Sequence, residues 1–119
     1  DLTGKGVEVR LIHAKEPGPN FRKDFDRYPL LAKRLERILC PRVHFKILVI
    51  DQMICYVGSA NLTGAGMGMK SLYRRNFEAG IITDTSDIVN AAIEEFEKVW
   101  RGSECKKCQR KTYCPDPII

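Results

Sequence analysis

The residue types best suited to chemistry occur between positions 44 and 78. Six polar side chains form a spaced set there: His44, Lys46, Asp51, Ser59, Asn61 and Glu78. Residues two apart on a strand share a face, so His44 and Lys46 are expected to point the same way. Ser59 and Asn61 repeat that spacing at the end of a neighbouring strand. Such a patch suits a phosphate group, because an ammonium neutralises its charge, a hydroxyl and an amide donate to its oxygens, and an imidazole can attack phosphorus or move a proton.

The order of these residues resembles a known family. Residues 44–51 spell H-x-K-x4-D, residues 58–61 spell G-S-x-N, and residues 76–78 spell N-x-E. This series is similar to that of the phospholipase D superfamily, the HKD phosphodiesterases, and the resemblance covers residues 6–100, which is most of the chain. It implies a phospholipase D-like half with a mixed β-sheet flanked by helices.

The resemblance also implies catalytic roles. His44 would be the nucleophile that forms a phosphohistidine, or the general acid. Glu78 would hydrogen-bond the far nitrogen of the nucleophilic histidine and fix its tautomer. Asp51 belongs to the signature, with a largely structural role in the family. The candidate catalytic residues are therefore His44, Lys46, Asp51 and Glu78.

Phosphate binding in this family is assigned to side chains rather than to a metal. By the resemblance, Lys46, Ser59 and Asn61 would bind the phosphate, and no catalytic cofactor is expected because lysines replace Mg²⁺. The family joins two motifs, and this chain carries one. We therefore expect a second motif from a homodimer partner or from a missing upstream region, the chain being an N-terminally truncated half or C-terminal fragment.

A second, partial motif occurs near the N-terminus. His13, Lys15 and Asn20 spell H-x-K-x4-N, but Pro17 and Pro19 interrupt it and no G-S-x-N follows. We therefore expect His13 to lie at the end of a strand, outside any catalytic motif.

The five cysteines suggest a metal site more than a disulfide framework, because the count is odd and three are closely spaced. Cys105, Cys108 and Cys114 follow a C-x2-C-x5-C pattern that resembles part of the iron–sulfur site of the Cas4 and AddB nuclease family. Cys40 is the best fourth ligand, whereas Cys55 reads as a small buried apolar residue. The cysteine pattern leaves three alternatives: structural zinc, a [4Fe–4S] cluster, or no metal. Such thiols favour a reducing, cytoplasmic location.

The apolar patterns predict an α/β fold. The expected elements are a strand over 6–12, a loop over 15–20, a helix over 27–39, strands over 43–51 and 53–57 joined by a tight turn, a strand over 77–82 and a closing helix over 88–100. The domains predicted are a phospholipase D-like domain over 1–102 and a cysteine-rich metal- or cluster-binding tail over 103–119.

Charge narrows the choice of partner. The 119 residues carry 20 Lys and Arg against 15 Asp and Glu, a net charge of +5, which favours an anionic partner. No apolar run reaches the roughly 20 residues of a membrane helix. Lys70, Arg74 and Arg75 lie between two motif segments and are candidate nucleic-acid contacts.

The leading hypothesis is a metal-independent nuclease. The alternatives are a phospholipase or phosphatidyltransferase, and a non-catalytic nucleic-acid-binding module.

Overall fold

The computed structural model describes residues 2–16, 18–61 and 71–117. Two compact units divide the chain. One contains residues up to Val43 together with residues from Gly102 onward, and the other runs from His44 to Arg101. The cysteine tail therefore belongs to the same unit as the first 43 residues.

The first unit is built on a parallel strand pair. Strand β1 spans Arg10–His13 and strand β2 spans Glu36–Leu39, with Ile12 opposite Ile38. Parallel neighbours need a crossover, which helices α1 (Pro19–Arg27) and α2 (Pro29–Arg34) supply. Both helices begin with a proline at their first position, where the missing N–H has no helical partner to lose.

Two predictions for this region are wrong. The helix expected over 27–39 stops at Arg34, and residues 36–39 form β2, because their backbone groups pair with β1. The loop expected over 15–20 ends at Pro19, where α1 begins. Phe21 and Phe25 are one helical turn apart in α1 and their rings stack with centroids 5.8 Å apart.

The second unit is an antiparallel sheet covered by one helix. Its strands are β3 (Lys46–Ile50), β4 (Ile54–Gly58) and β5 (Gly80–Thr83), in that spatial order, and helix α3 spans Ser86–Trp100. The sheet and α3 enclose a core made of Cys55, Val89 and Ala92, with Ile47, Val49, Val57 and Ile93 packed around it. The predicted β3–β4 hairpin and closing helix are confirmed.

Two backbone details confirm sequence signals at the β3–β4 turn and at the end of α3. Asp51 and Gln52, in the turn between β3 and β4, have φ values of 53° and 56°, the positive values of a type I′ turn, which the Met53 N–H closes by donating to the Ile50 carbonyl at 3.0 Å. Gly102 follows α3 with φ 68°, as a helix-terminating glycine does.

The α/β class, with both parallel and antiparallel strands, is confirmed, and the described strands are divided between two sheets. No helix in the described ranges is long and apolar enough to cross a membrane.

Candidate active site

One end of the antiparallel sheet gathers the three motif segments. Lys46 pairs with Gly58, and Gly58 pairs with Gly80, so the start of β3, the end of β4 and the start of β5 lie side by side. His44 comes just before the first of these positions, Ser59 just after the second and Glu78 just before the third. The hairpin and its antiparallel neighbour thus bring together residues 34 positions apart in the chain.

His44 and Lys46 meet as the strand spacing predicts. The Lys46 ammonium lies 3.2 Å from Nε2 of His44 and donates a 2.6 Å hydrogen bond to the His44 carbonyl oxygen. A charged ammonium can only donate, so this contact is a hydrogen bond only when Nε2 carries no proton. The Nε2 atom of the imidazole therefore lies beside the strongest phosphate-neutralising group of the patch.

Ser59 and Glu78 join the ends of β4 and β5. The Ser59 backbone N–H donates to the carbonyl of Ala79 at 2.9 Å, and the Ala79 N–H donates to Ser59 Oγ at 3.0 Å. Ser59 Oγ in turn donates to Oε2 of Glu78 at 2.5 Å. The carboxylate is thereby fixed against the loop that follows β4, and its described hydrogen-bond partners are Ser59 and Asn76 rather than His44.

Hydrogen bonding keeps the Glu78 carboxylate ionised. The bond from Ser59 lowers the pKa of Glu78 most and the bond from Asn76 adds to this, desolvation opposes them, and the positive charge of Lys46 lowers the pKa least. All of these donors and charges favour the anionic form. The patch therefore includes a carboxylate that its surroundings hold in the anionic form.

Tyr56 supports the loop that carries Ser59, a role the sequence did not indicate. Its hydroxyl oxygen accepts a 3.2 Å hydrogen bond from the Ala60 N–H. The ring fits because its neighbours are glycines: a Cβ on Gly80 would lie 2.7 Å from Tyr56 Cε2, and one on Gly58 would lie 2.8 Å from Tyr56 Cζ. A tyrosine two residues before a glycine in a sheet, with a second glycine opposite, is the signal that could have pointed to this contact.

With this geometry in place, comparison with known proteins decides the family. Residues 1–100 match the sequence profile described as "Cardiolipin synthase, PLD-like domain". The chain belongs to the phospholipase D-like domain family. The resemblance read from the HKD, GSxN and NxE segments is confirmed.

The fold of this PLD-like domain is shared with NucT from Helicobacter pylori. The two structures align with a TM-score of 0.61 at 18 % sequence identity, over 84 % of this chain and 66 % of NucT. The chain thus spans about two thirds of the NucT length. No match was found among curated proteins.

Asp51 is separated from the rest of the PLD-like site. It lies in the turn at the far end of the β3–β4 hairpin, where Ile50 pairs with Ile54, whereas Lys46 pairs with Gly58 at the site end. Four residues of strand at a rise of about 3.4 Å place these ends roughly 14 Å apart. The structure therefore does not bring Asp51 together with His44, and Asp51 instead has a left-handed backbone conformation in the turn.

The remaining predicted contacts are placed only in part. Asn61 is exposed two residues after Ser59, and β4 ends before both of them, at Gly58. Arg74 and Arg75 are exposed in a turn whose N–H groups donate to the Ser71 carbonyl. Lys70 lies outside the described residues.

The cysteines divide between the two units. Cys55 is buried in the core of the second unit, as predicted, and Cys40, Cys105, Cys108 and Cys114 are half-buried thiols of the first. The pKa of Cys108 is lowered mainly by the backbone N–H of Arg110, which donates to the Cys108 sulfur. Arg42 and Lys111 lower it further. No three His, Cys, Asp or Glu side chains of the described residues are grouped as metal ligands. Zinc or cluster binding therefore stays a prediction.

His13, the histidine of the partial N-terminal motif, has the surroundings of a structural residue. It is the last residue of β1 and its ring packs edge-on against Phe21, with centroids 5.4 Å apart. Its Nε2 is buried without a hydrogen-bond partner in the described structure. Burial lowers the pKa of His13, with Arg37 adding to the effect and Glu16 opposing it. These surroundings favour a neutral ring.

Proposed function

We propose that this PLD-like domain supplies one half of a metal-independent phosphodiesterase site that cleaves nucleic acid through a phosphohistidine at His44. The observation that supports this most is the convergence of His44, Lys46 and the Ser59–Glu78 pair at one sheet end. That group contains a nucleophile and a cation for a phosphate, without requiring a divalent ion.

The proposed reaction has two steps. Nε2 of His44 attacks phosphorus, the bond to the leaving oxygen breaks, and a second imidazole protonates that oxygen. Water then attacks the phosphohistidine and gives its proton to the same second imidazole, and cleavage of the P–N bond releases His44. Lys46 would neutralise the phosphate in both steps. The second imidazole would come from another copy of this chain, or from another segment carrying the motif.

Charge favours nucleic acid as the substrate. The chain has a net charge of +5, and Arg74 and Arg75 are exposed just before the segment that carries Glu78. Lys and Arg side chains that flank a scissile phosphate would contact the neighbouring phosphates of a polynucleotide.

A lipid phosphodiester is the second candidate substrate. Leu72, Tyr73 and Phe77, around the same arginines, are 65 %, 94 % and 106 % exposed. Exposed apolar and basic side chains together are also what an interfacial lipid enzyme would present.

The test offers labelled single- and double-stranded DNA, RNA and phosphatidylcholine to the protein in EDTA. We expect cleavage of a nucleic acid, and His44→Asn should lower turnover by at least 10²–10⁴-fold, the usual contribution of acid–base catalysis alone. His13→Asn is the matched control, since the chain has two histidines. Base-quenched reactions should contain phosphohistidine in the His13 variant but not in the His44 variant. Turnover that needs added Mg²⁺, or cleavage of the lipid alone, would contradict the proposal.

A further inference from the structure

Two aromatic side chains beside the proposed site project into solvent. Tyr73 is 94 % exposed and Phe77 is 106 % exposed, more than any other aromatic residue in the described ranges. Other rings pack on one another, as Phe96 does on Trp100, with centroids 5.6 Å apart. Exposed apolar side chains that occur together usually mark a surface that a second molecule covers.

Phe77 is tied to the site by its two chain neighbours. Hydrogen bonds from Ser59 and Asn76 hold the Glu78 carboxylate, and Phe77 lies between Asn76 and Glu78 in the chain. Adjacent Cα atoms are about 3.8 Å apart, so the backbone that carries this ring lies at the edge of the site. A nucleotide next to the scissile phosphate would be within reach of the ring.

Tyr73 belongs to a turn that also presents two guanidinium groups. The N–H groups of Arg74 and Arg75 donate to the Ser71 carbonyl at 2.9 and 3.1 Å, and residues 71–79 are all exposed. Residues 62–77 contain three basic and no acidic side chains. Guanidinium groups bind phosphate oxygens through paired hydrogen bonds. Aromatic and phosphate-binding groups therefore lie together along one short segment.

This combination fits a polynucleotide whose bases are unpaired. In a duplex the faces of the bases are stacked inside the helix, whereas a single strand can place its bases on aromatic side chains. The arginines would contact the phosphates of either form. The two rings would therefore add affinity for a single strand alone. A lipid surface has no such need for rings, because its binding follows the apolar area buried.

We propose that Tyr73, Arg74, Arg75 and Phe77 form a stacking surface that selects an unpaired nucleic-acid strand over a duplex. The arginines would bind phosphates of the strand while the two rings stack on its bases. This inference rests on the proposed function, since the surface adjoins the proposed site and serves the same substrate. Single-stranded DNA and single-stranded RNA both offer the chemistry required, and the experiment compares them.

The experiment measures binding to the full chain carrying His44→Asn, which lacks the proposed nucleophile and so does not consume the strand. Fluorescence anisotropy compares a labelled DNA oligonucleotide, the matching RNA, and the DNA annealed to its complement. Tyr73→Leu and Phe77→Leu, which keep apolar bulk but remove the ring, should each weaken single-strand binding by roughly 5- to 100-fold. Duplex binding should be nearly unchanged. Tyr113→Leu, at another exposed tyrosine, is the matched control.

Two further variants separate stacking from charge. Arg74→Gln should weaken binding of the single strand and of the duplex alike, with a shallower dependence on salt. Phe77→Trp keeps an aromatic face, so it should bind the single strand as tightly as the parent chain. Its indole fluorescence should fall when a base stacks on it. The parent chain, with Trp100 as its single tryptophan, gives the background signal.

Several results would overturn the stacking proposal. These are single-strand affinity that the two leucine variants retain, equal affinity for duplex and single strand, and binding of phosphatidylcholine vesicles without binding of any oligonucleotide. A cleavage assay with His44 intact tests the proposed function separately. Cleavage of single and double strands alike would overturn the stacking proposal only. Selective single-strand binding through Tyr73 and Phe77 without cleavage would support the stacking surface and contradict the proposed function.

Discussion

The Ser59 hydroxyl donates a 2.5 Å hydrogen bond to Oε2 of Glu78, 19 residues further along the chain. A hydroxyl has one proton, so Ser59 cannot donate to another oxygen while it donates to Glu78, and the same Oγ accepts the Ala79 N–H. It therefore positions the carboxylate in this structure. To bind a phosphate as the family resemblance implies, Ser59 would have to exchange Glu78 for a substrate oxygen.

This relationship predicts an acid-dependent loss of stability. The pKa of Glu78 is below its ordinary value of 4.5 in the folded chain, so the unfolded chain binds the proton more readily. The stabilisation is complete above about pH 4.5 and is lost as pH falls through the lower, folded value. We expect wild type to exceed Glu78→Gln in free energy of unfolding at about pH 7, and the gap to narrow at about pH 3.

Denaturant unfolding at both pH values, followed by the fluorescence of Trp100, measures this gap. Glu94→Gln, which removes a carboxylate from the exposed surface of α3, controls for the change in net charge. A gap for Glu78→Gln that stays the same at both pH values would show that the Ser59 bond does not depend on ionised Glu78.

Asp51 should matter for the turn and not for the chemistry. We expect Asp51→Asn to keep activity within a few-fold of wild type, because asparagine tolerates a φ of 53° and the residue lies at the far end of the hairpin. Asp51→Val should cost about 1–2 kcal/mol of stability, since a β-branched residue is strained in the left-handed region. Parallel measurements of turnover and melting check both variants. An inactive but fully folded Asp51→Asn would place Asp51 in the catalytic machinery.

Tyr56 is expected to act as a positioning residue. Tyr56→Phe keeps the ring over the glycines but removes the acceptor of the Ala60 N–H, which should cost about 0.5–1.5 kcal/mol. Small displacements of Ser59 and Asn61 on either side of Ala60 should lower turnover by up to about 10²-fold. Tyr113→Phe, at an exposed tail position, is the matched control. Turnover unchanged in Tyr56→Phe would mean that the loop does not need this bond.

Sequence predicted the site better than it predicted the first unit. The hairpin, α3 and the meeting of His44 with Lys46 follow from local rules, namely strand periodicity, a turn dipeptide and a long amphipathic repeat. Each of these signals lies within one element or two adjacent ones. The sequence therefore also predicted which ends of β3, β4 and β5 carry the motif.

The errors arise where pairing across the chain overrides local pattern. Leu35, Ile38 and Leu39 have helical spacing, yet residues 36–39 become β2 because β1 offers them a parallel partner. The choice of Ser59 rather than His44 as the partner of Glu78 also depends on side-chain reach in three dimensions. No spacing rule distinguishes those two hydrogen-bond donors.

The last prediction concerns the number of His44 side chains in one site. The proposed chemistry needs two imidazoles, one to attack phosphorus and one to protonate the leaving oxygen, and His13 has a structural environment. A two-fold axis would present His44 to its own copy and complete the site. A site of that kind is inactivated when either copy carries His44→Asn.

Mixing wild-type and His44→Asn chains in different ratios distinguishes the two arrangements. Chains are unfolded together and refolded, so that subunits combine at random. If both imidazoles come from two copies of His44, activity follows the square of the wild-type fraction, and an equal mixture keeps about a quarter of full activity. If another segment of the same polypeptide supplies the second imidazole, the equal mixture keeps about half. Mixtures with His13→Asn should lose far less activity at every ratio, which separates loss of the imidazole pair from poor refolding.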